Sequence, residues 1–179
     1  MQINQNLNEK DYIFHLTGNN CVDIVKEFIK RIHTKKDLNI FLEVFEKEKG
    51  NLDWPADNCV VLSGFGTVRH REYPGLQDVN RGIILAIPKG NVIKPVFSGY
   101  ISNVLFLPNA LEAIIIQHGI YSTVYSQLDE TYVQIGDFVT KNDPIGSLHI
   151  EENHKTGLME FQVWKEIEPI NPKIWLKKH

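Results

Sequence analysis

From Trp54 onward the chain is cut into short β-branched runs separated by Gly, Pro and Asn, and this texture constrains the fold more than any other feature. The candidate strands are "CVVLSGF", "GIILAI", "VIKPVFSGYISNVLFL", "EAIIIQHG", "YSTVYSQL", "YVQIGDFV", "PIGSLHI" and "LMEFQVW". Short strands at roughly ten-residue spacing, with no long helix between them, predict a compact antiparallel β domain. "VNRGIILAI", Val79 to Ile87, reads as one buried strand. Pro95 has no N–H to give a ladder, so it marks an edge or a bulge within its run.

The first fifty residues follow a different period. In "NCVDIVKEFIKRIH", Val22, Val25, Ile29 and Ile32 share a helical face, and Asn20 caps with Asp23 three residues on. In "TKKDLNIFLEVFEKEKG", Leu38, Phe41, Leu42 and Phe45 repeat the stripe, Thr34 and Asp37 form a capping-box variant, and Gly50 supplies the stop. Isolated helices this short are marginal in water, so both stripes are expected to pack on something. The division expected is a helical segment over 1–50 and a β domain over 51–179.

Composition excludes some functions. A formal net charge of −3 and a pI near 6.2, with charges alternating in sign, give no global pull toward nucleic acid. Cys21 and Cys59 fall in no metal-binding or CxxC spacing and read as buried free thiols. The seven histidines contain no H-x-x-x-H pairing, and each reads as a surface or capping residue. Trp54, Trp164 and Trp175 read as core anchors, and "KEKG" and "LKKH" as solvated ends. "RHREYPGLQD", with Arg69, His70, Arg71 and Glu72, is the type of long polar loop that carries recognition. "MQINQNLNEKDYIF" lacks the basic start and apolar run of a signal peptide.

Two glycine-turn units carry more information. "VIKPVFSGYISNV" and "YVQIGDFVTKNDPIGSL" each set a glycine between β-branched segments, and "V-x-x-G-D-x-V … I-G" is a recurrent small-barrel pattern. One family with this pattern is the biotinyl/lipoyl carrier domain, whose chemistry needs a lysine at an exposed hairpin tip; no lysine here has that setting. The blocks "FGTVRH", "NRGIILAIPKGNVIKPVFSGYISNV", "AIIIQHGIYSTVYSQL", "VQIGDFVTKNDPIGSL", "EFQVWKE" and "INPKIWL" follow instead the order and spacing of the LytM/lysostaphin-type zinc metallopeptidase domain, over Leu52 to Leu176. With "FEKEKGNLDWP" before them, they resemble most the EnvC-like murein hydrolase activators. The fold implied is mainly β, a LytM-like antiparallel sheet or small barrel of the barrel-sandwich-hybrid kind, with a short α-helical N-terminal segment.

The resemblance also implies where catalysis would sit. Active members use a His-x-x-x-Asp pair for zinc, and here those positions hold Asn80 and Ile84. A later His-x-His, whose second histidine completes the zinc site, is here Leu158 and Glu160. A histidine in the "Y-x-H-L" block that assists the attacking water is here Gln127. His118 stands where the family commonly carries a histidine that is not a zinc ligand, and a structural hydrogen-bonding role is expected for it. A catalytic zinc needs three protein ligands and an open position for water. Ile84 has no donor atom, Asn80 only a neutral amide, and Glu160 alone is a good anion. The expectation is therefore a degenerate metallopeptidase with no zinc or other cofactor and no catalytic residues.

EnvC-like proteins bind and activate N-acetylmuramoyl-L-alanine amidases in peptidoglycan remodelling and cell division. The resemblance therefore implies a peptidoglycan amidase as partner, met by the vestigial groove of Asn80, Ile84, Gln127, Leu158 and Glu160, with peptidoglycan itself and an FtsEX-like ABC transporter complex as further partners. It implies the periplasm or cell envelope as location. The sequence departs from the family upstream, where two short helices stand in place of the long coiled coil that docks on the transporter. Two readings from other classes stay open: a zinc-dependent peptidoglycan endopeptidase with an unrecognised metal site, and a module that only binds peptidoglycan or an envelope partner.

Overall fold

The structure, a computed structural model, describes residues 44–69, 77–108, 111–150 and 153–178. Strands form where the alternating apolar runs stand: β1 (Val60–Ser63), β2 (Gly66–Arg69), β3 (Gln77–Asn80), β4 (Ile83–Pro88), β5 (Gly99–Phe106) and β6 (Glu112–His118). They continue with β7 (Tyr121–Thr131), β8 (Phe138–Val139), β9 (Gly146–Leu148), β10 (Thr156–Lys165) and β11 (Glu168–Ile170). One antiparallel sheet runs in the order β1-β4-β10-β7-β6-β5-β8, with β9 added to β7 and β11 to β10, while β2 and β3 form a separate ribbon. The expected mainly-β, LytM-like antiparallel architecture is present, with a helical turn at residues 44–47 near the N-terminal end of the described chain.

Side-chain alternation explains which face is inside. Along β10, Gly157, Met159, Phe161 and Val163 are buried, while Leu158, Glu160, Gln162 and Trp164 point the other way. Ile83, Leu85 and Ile87 of β4, and Ile114 and Ile116 of β6, complete that core. The two-residue connection Gly119–Ile120 turns β6 back into β7, with Gly119 at φ +75°, which a glycine adopts without Cβ strain. Tyr125 is fully buried, and its phenol is satisfied by the Val96 N–H at 2.9 Å.

The two ends of the described chain are strapped together beneath the sheet. Leu52 and Leu176 form a parallel bridge, Gly50 and Leu52 donate N–H groups to the Trp175 carbonyl, and Lys177 donates to that of Leu52. "LKKH" is therefore not simply a solvated end: Leu176 is core, and Lys177 pairs with Asp53 at 2.6 Å. Phe45 lies at the centre of this region, fully buried and in ring contact with Phe97, His118, Tyr121 and Trp175. The helical stripes and caps expected over 20–43 lie outside the described residues, as do Cys21 and residues 70–76 of the polar loop. Cys59 is buried and free.

Several sequence expectations need correcting. "VNRGIILAI" is not one buried strand: β3 ends at Asn80, Val79 is 74% exposed, and the chain breaks direction at Arg81–Gly82 before β4. A Cβ on Gly82 would meet the Phe161 carbonyl oxygen at 2.3 Å, so only glycine lets the chain enter β4 so close to β10. The run from Val92 to Leu107 yields a single bridge at Ile93 and then β5, since Pro95 interrupts the ladder. "YVQIGDFV" shrinks to β8 because Gly136, at φ +94°, turns the backbone away. Trp175 is a core anchor and Trp54 packs against the core half-buried, but Trp164 sits on the open face of β10.

His118 takes the structural role expected of it. One ring nitrogen lies 2.9 Å from the Ser98 carbonyl and the other 2.9 Å from Thr123 Oγ1, inside a fully buried site. Burial pushes its pKa down to about 4. The neutral ring is favoured in the folded chain while the unfolded chain protonates near pH 6.5, so the stabilisation is present above pH 6.5 and is lost as pH falls toward 4. We expect urea unfolding to show roughly 3 kcal/mol lost across that window through this group. The loss should be absent from the difference curve of His118→Gln; an identical pH slope in that variant would refute the assignment.

Candidate functional site

The vestigial positions meet on the open face of the sheet. Ser63 of β1 pairs with Ile84 of β4, Ile84 with Glu160 of β10, and Glu160 with Ser126 of β7, so these four residues form one row across four strands. Directly paired residues of antiparallel strands carry side chains to the same face about 5 Å apart. Asn80 joins this row from the β2–β3 ribbon: its amide nitrogen donates to Ser63 Oγ at 2.8 Å and to the Gly64 carbonyl at 2.9 Å. One step along, Leu158 pairs with Ala86, which also pairs with Val60. Leu158 and Val60 are 53% and 59% exposed, so this second row is an apolar shelf open to solvent.

Gln127 is placed by a defect in the ladder. Ser126 pairs with Ala113 and Leu128 with Glu112, which leaves Gln127 as the extra residue of a β-bulge on β7. Its φ of +70° lies in the left-handed region, which costs a side-chain-bearing residue on the order of 1–3 kcal/mol. The bulge sets Gln127 beside Ser126 at the end of the row. Asn80, Ile84 and Glu160 therefore share one row, Gln127 follows Ser126 in the chain at its end, and Leu158 stands at the margin.

Two further residues belong to this face. Gln162 donates from Nε2 to Glu160 Oε1 at 2.7 Å, and its own Oε1 accepts from Trp164 Nε1 at 2.7 Å. Leu158, Glu160, Gln162 and Trp164 thus form a ladder along one side of β10. The signal for it was the period-2 alternation of "LMEFQVW", which set all four on one face; Trp164 looked like a core residue because its neighbours in sequence are core.

This donor set does not fit a catalytic zinc ion. Ile84 and Leu158 offer no donor, and the amide of Asn80 is engaged with Ser63 and Gly64. Glu160 supplies the row's one carboxylate, which is held by Gln162. Three good ligands with an open water position are required, and imidazole is the usual general base. Among the described residues no group of three His, Cys, Asp or Glu side chains is placed to hold a metal.

Known proteins match over this region. A Buchnera aphidicola subsp. Baizongia pistaciae protein, described as "Uncharacterized metalloprotease", is 38% identical over 115 residues, 63% of this chain and 30% of its own. The chain thus spans less than a third of that relative's length. Helicobacter pylori Csd3 superposes with a TM-score of 0.57 at 20% identity, over 72% of this chain and 35% of Csd3, a likeness of fold. A chain from the complex of SpoIIIAH and SpoIIQ superposes with a TM-score of 0.53 at 25% identity, over 68% of this chain and 97% of that one. Residues 78–172, more than half of the sequence and all of β4 through β11, match peptidase family M23. By that match the chain belongs to peptidase family M23.

Proposed function

We propose that this chain is a non-catalytic LytM-like factor of the cell envelope that binds and activates a peptidoglycan N-acetylmuramoyl-L-alanine amidase. The observation that carries the reading is the row Asn80–Ser63–Ile84–Glu160–Ser126. The family resemblance puts the peptidase ligand positions here, and the row supports the reading because Asn80 is tied to Ser63 and Glu160 to Gln162, leaving amide, apolar and single-anion chemistry. A fold retained after its ligands are lost has a use for the surface itself, because function resides in the site and not in the fold. Partner binding by a related chain is consistent with this: SpoIIQ is found in complex with SpoIIIAH. Peptidoglycan and an FtsEX-like transporter complex are secondary partners under the same reading, and the periplasm is its setting.

The experiment has two arms. Elemental analysis of the purified protein after mild dialysis is expected to give far less than one zinc per chain, because one carboxylate does not hold the ion against water. Release of soluble fragments from dye-labelled peptidoglycan is expected only when an amidase is present, and to rise when this chain is added to it. Close to one zinc per chain, lost in Glu160→Ala, together with hydrolysis by the protein alone, would establish instead the endopeptidase that the metalloprotease relative suggests. Binding to peptidoglycan without stimulation of any amidase would reduce the role to that of a binding module.

A further inference from the structure

β1 ends the large sheet. β4 covers one of its edges, and among the described residues no strand pairs with the other. Its side chains are unusual for such a position, since Val60 and Leu62 are 59% and 57% exposed. Bare edges of this kind attract another strand, and proteins normally blunt them with charge, proline or a cover.

The charge stands next to the edge. A cleft of about 1130 Å³ opens where β1 begins, with Val60 and Val61 in its wall. Lys94, Lys141, Lys173, Lys177 and Lys178 reach it from three separate stretches of chain, against only Asp53 and Asp57 in its lining, in a protein whose formal net charge is −3. Asp53 is already engaged by Lys177 at 2.6 Å and faces Lys141 at 3.7 Å. Lys94, Lys173 and Lys178 make no ion pair among the described residues. Apolar floor is supplied by Ala56, Cys59 and Leu176, all buried.

We propose that this cleft and the free edge of β1 together receive an acidic, extended peptide segment of a partner protein. Main-chain groups of the added strand would pair with β1, alternate apolar side chains would cover Val60 and Leu62, and the intervening carboxylates would face the lysines. Strand addition draws affinity from the main chain and specificity from alternate side chains, while complementary charge sets selectivity and salt dependence. The unpaired peptide edge favours a polypeptide over a polyphosphate or nucleic acid, and the cleft has no arginine among its lining residues to fork onto phosphate. This surface adjoins the Asn80–Glu160 row, which takes Ser63 from the same strand, but the lysine cleft lies outside that row and the test below uses no amidase, so its failure and the failure of the amidase reading are distinguishable.

The test uses the full chain and a fluorescein-labelled peptide alternating valine and glutamate, followed by anisotropy. Saturable binding that weakens with added salt is expected, and Lys94→Glu/Lys173→Glu should weaken it by at least about tenfold. Both lysines are exposed and unpaired among the described residues, so the fold is retained, which circular dichroism checks. N-methylation of alternate amides in the peptide should weaken binding as strongly. Failure of the acidic peptide to bind overturns the proposal. So does equal binding by the double variant or by the N-methylated peptide, or tighter binding of a labelled oligonucleotide or polyphosphate than of the peptide.

Discussion

Replacing Phe45 with alanine is expected to remove about 3–5 kcal/mol of folding stability, the range found when a buried aromatic is truncated and its cavity persists. The side chain has no exposed surface, and its ring lies 4.9 to 5.3 Å from those of Phe97, His118, Tyr121 and Trp175. Those four rings come from different elements: the segment before β5, the end of β6, the start of β7, and the turn after the 3-10 segment Pro172–Ile174. Phe45 touches all four, so the site cannot collapse without moving several strands. The neighbouring Glu46 adds a polar clasp, accepting a short hydrogen bond from the Tyr121 hydroxyl at 2.5 Å and facing Lys165 at 3.4 Å. That clasp is exposed and is worth little by comparison. Urea unfolding followed by tryptophan fluorescence measures the loss. A change below about 1 kcal/mol would mean that residues 44–47 are an appendage and not part of the core.

Phe45 also shows where sequence reasoning reaches its end. Its place on an apolar helical stripe with Leu38, Phe41 and Leu42 required that it be buried, because such a stripe cannot stay in water. What it packs against was not legible, since its partners lie between 52 and 130 residues away along the chain and only the tertiary fold brings them together. The same holds at the candidate site. Residue types at Asn80, Ile84, Gln127, Leu158 and Glu160 were enough to argue that a set of three zinc donors is incomplete, because donor chemistry is a property of the residue alone. Their shared row depends on strand register, and register follows from which face is buried over whole strands. The bulge at Gln127 and the break at Gly82 were not read from the sequence either. The break is set by the close approach of β10 to Gly82, for which the glycine inside the run was the local signal, whereas nothing in Ser-Gln-Leu marks a distorted segment.

If the proposed function holds, Leu158→Arg is expected to abolish stimulation of a peptidoglycan amidase while leaving this chain folded. Leu158 stands on the outward face of β10, 53% exposed, in register with Ala86 and next to Val60, so an arginine there can extend its stem over the shelf and keep its head in water. Little folding stability is at stake at such a position, about 0.5 kcal/mol or less. Binding is a different matter, because a partner seated on the Asn80–Glu160 row would cover the shelf and bury the guanidinium. Glu160 is the nearest carboxylate by register, two residues along β10, but it is already held by Gln162, which is in turn held by Trp164. Recruiting it would dismantle that ladder. A buried cation without a free partner costs about 3–5 kcal/mol, enough to weaken an interface by roughly two to nearly four orders of magnitude. Leu158→Met keeps the apolar shelf and should bind and stimulate as the parent does. A folded Leu158→Arg protein that still stimulated the amidase normally would move the functional surface off this face of the sheet, and the lysine cleft beside β1 would then be the first place to look for it.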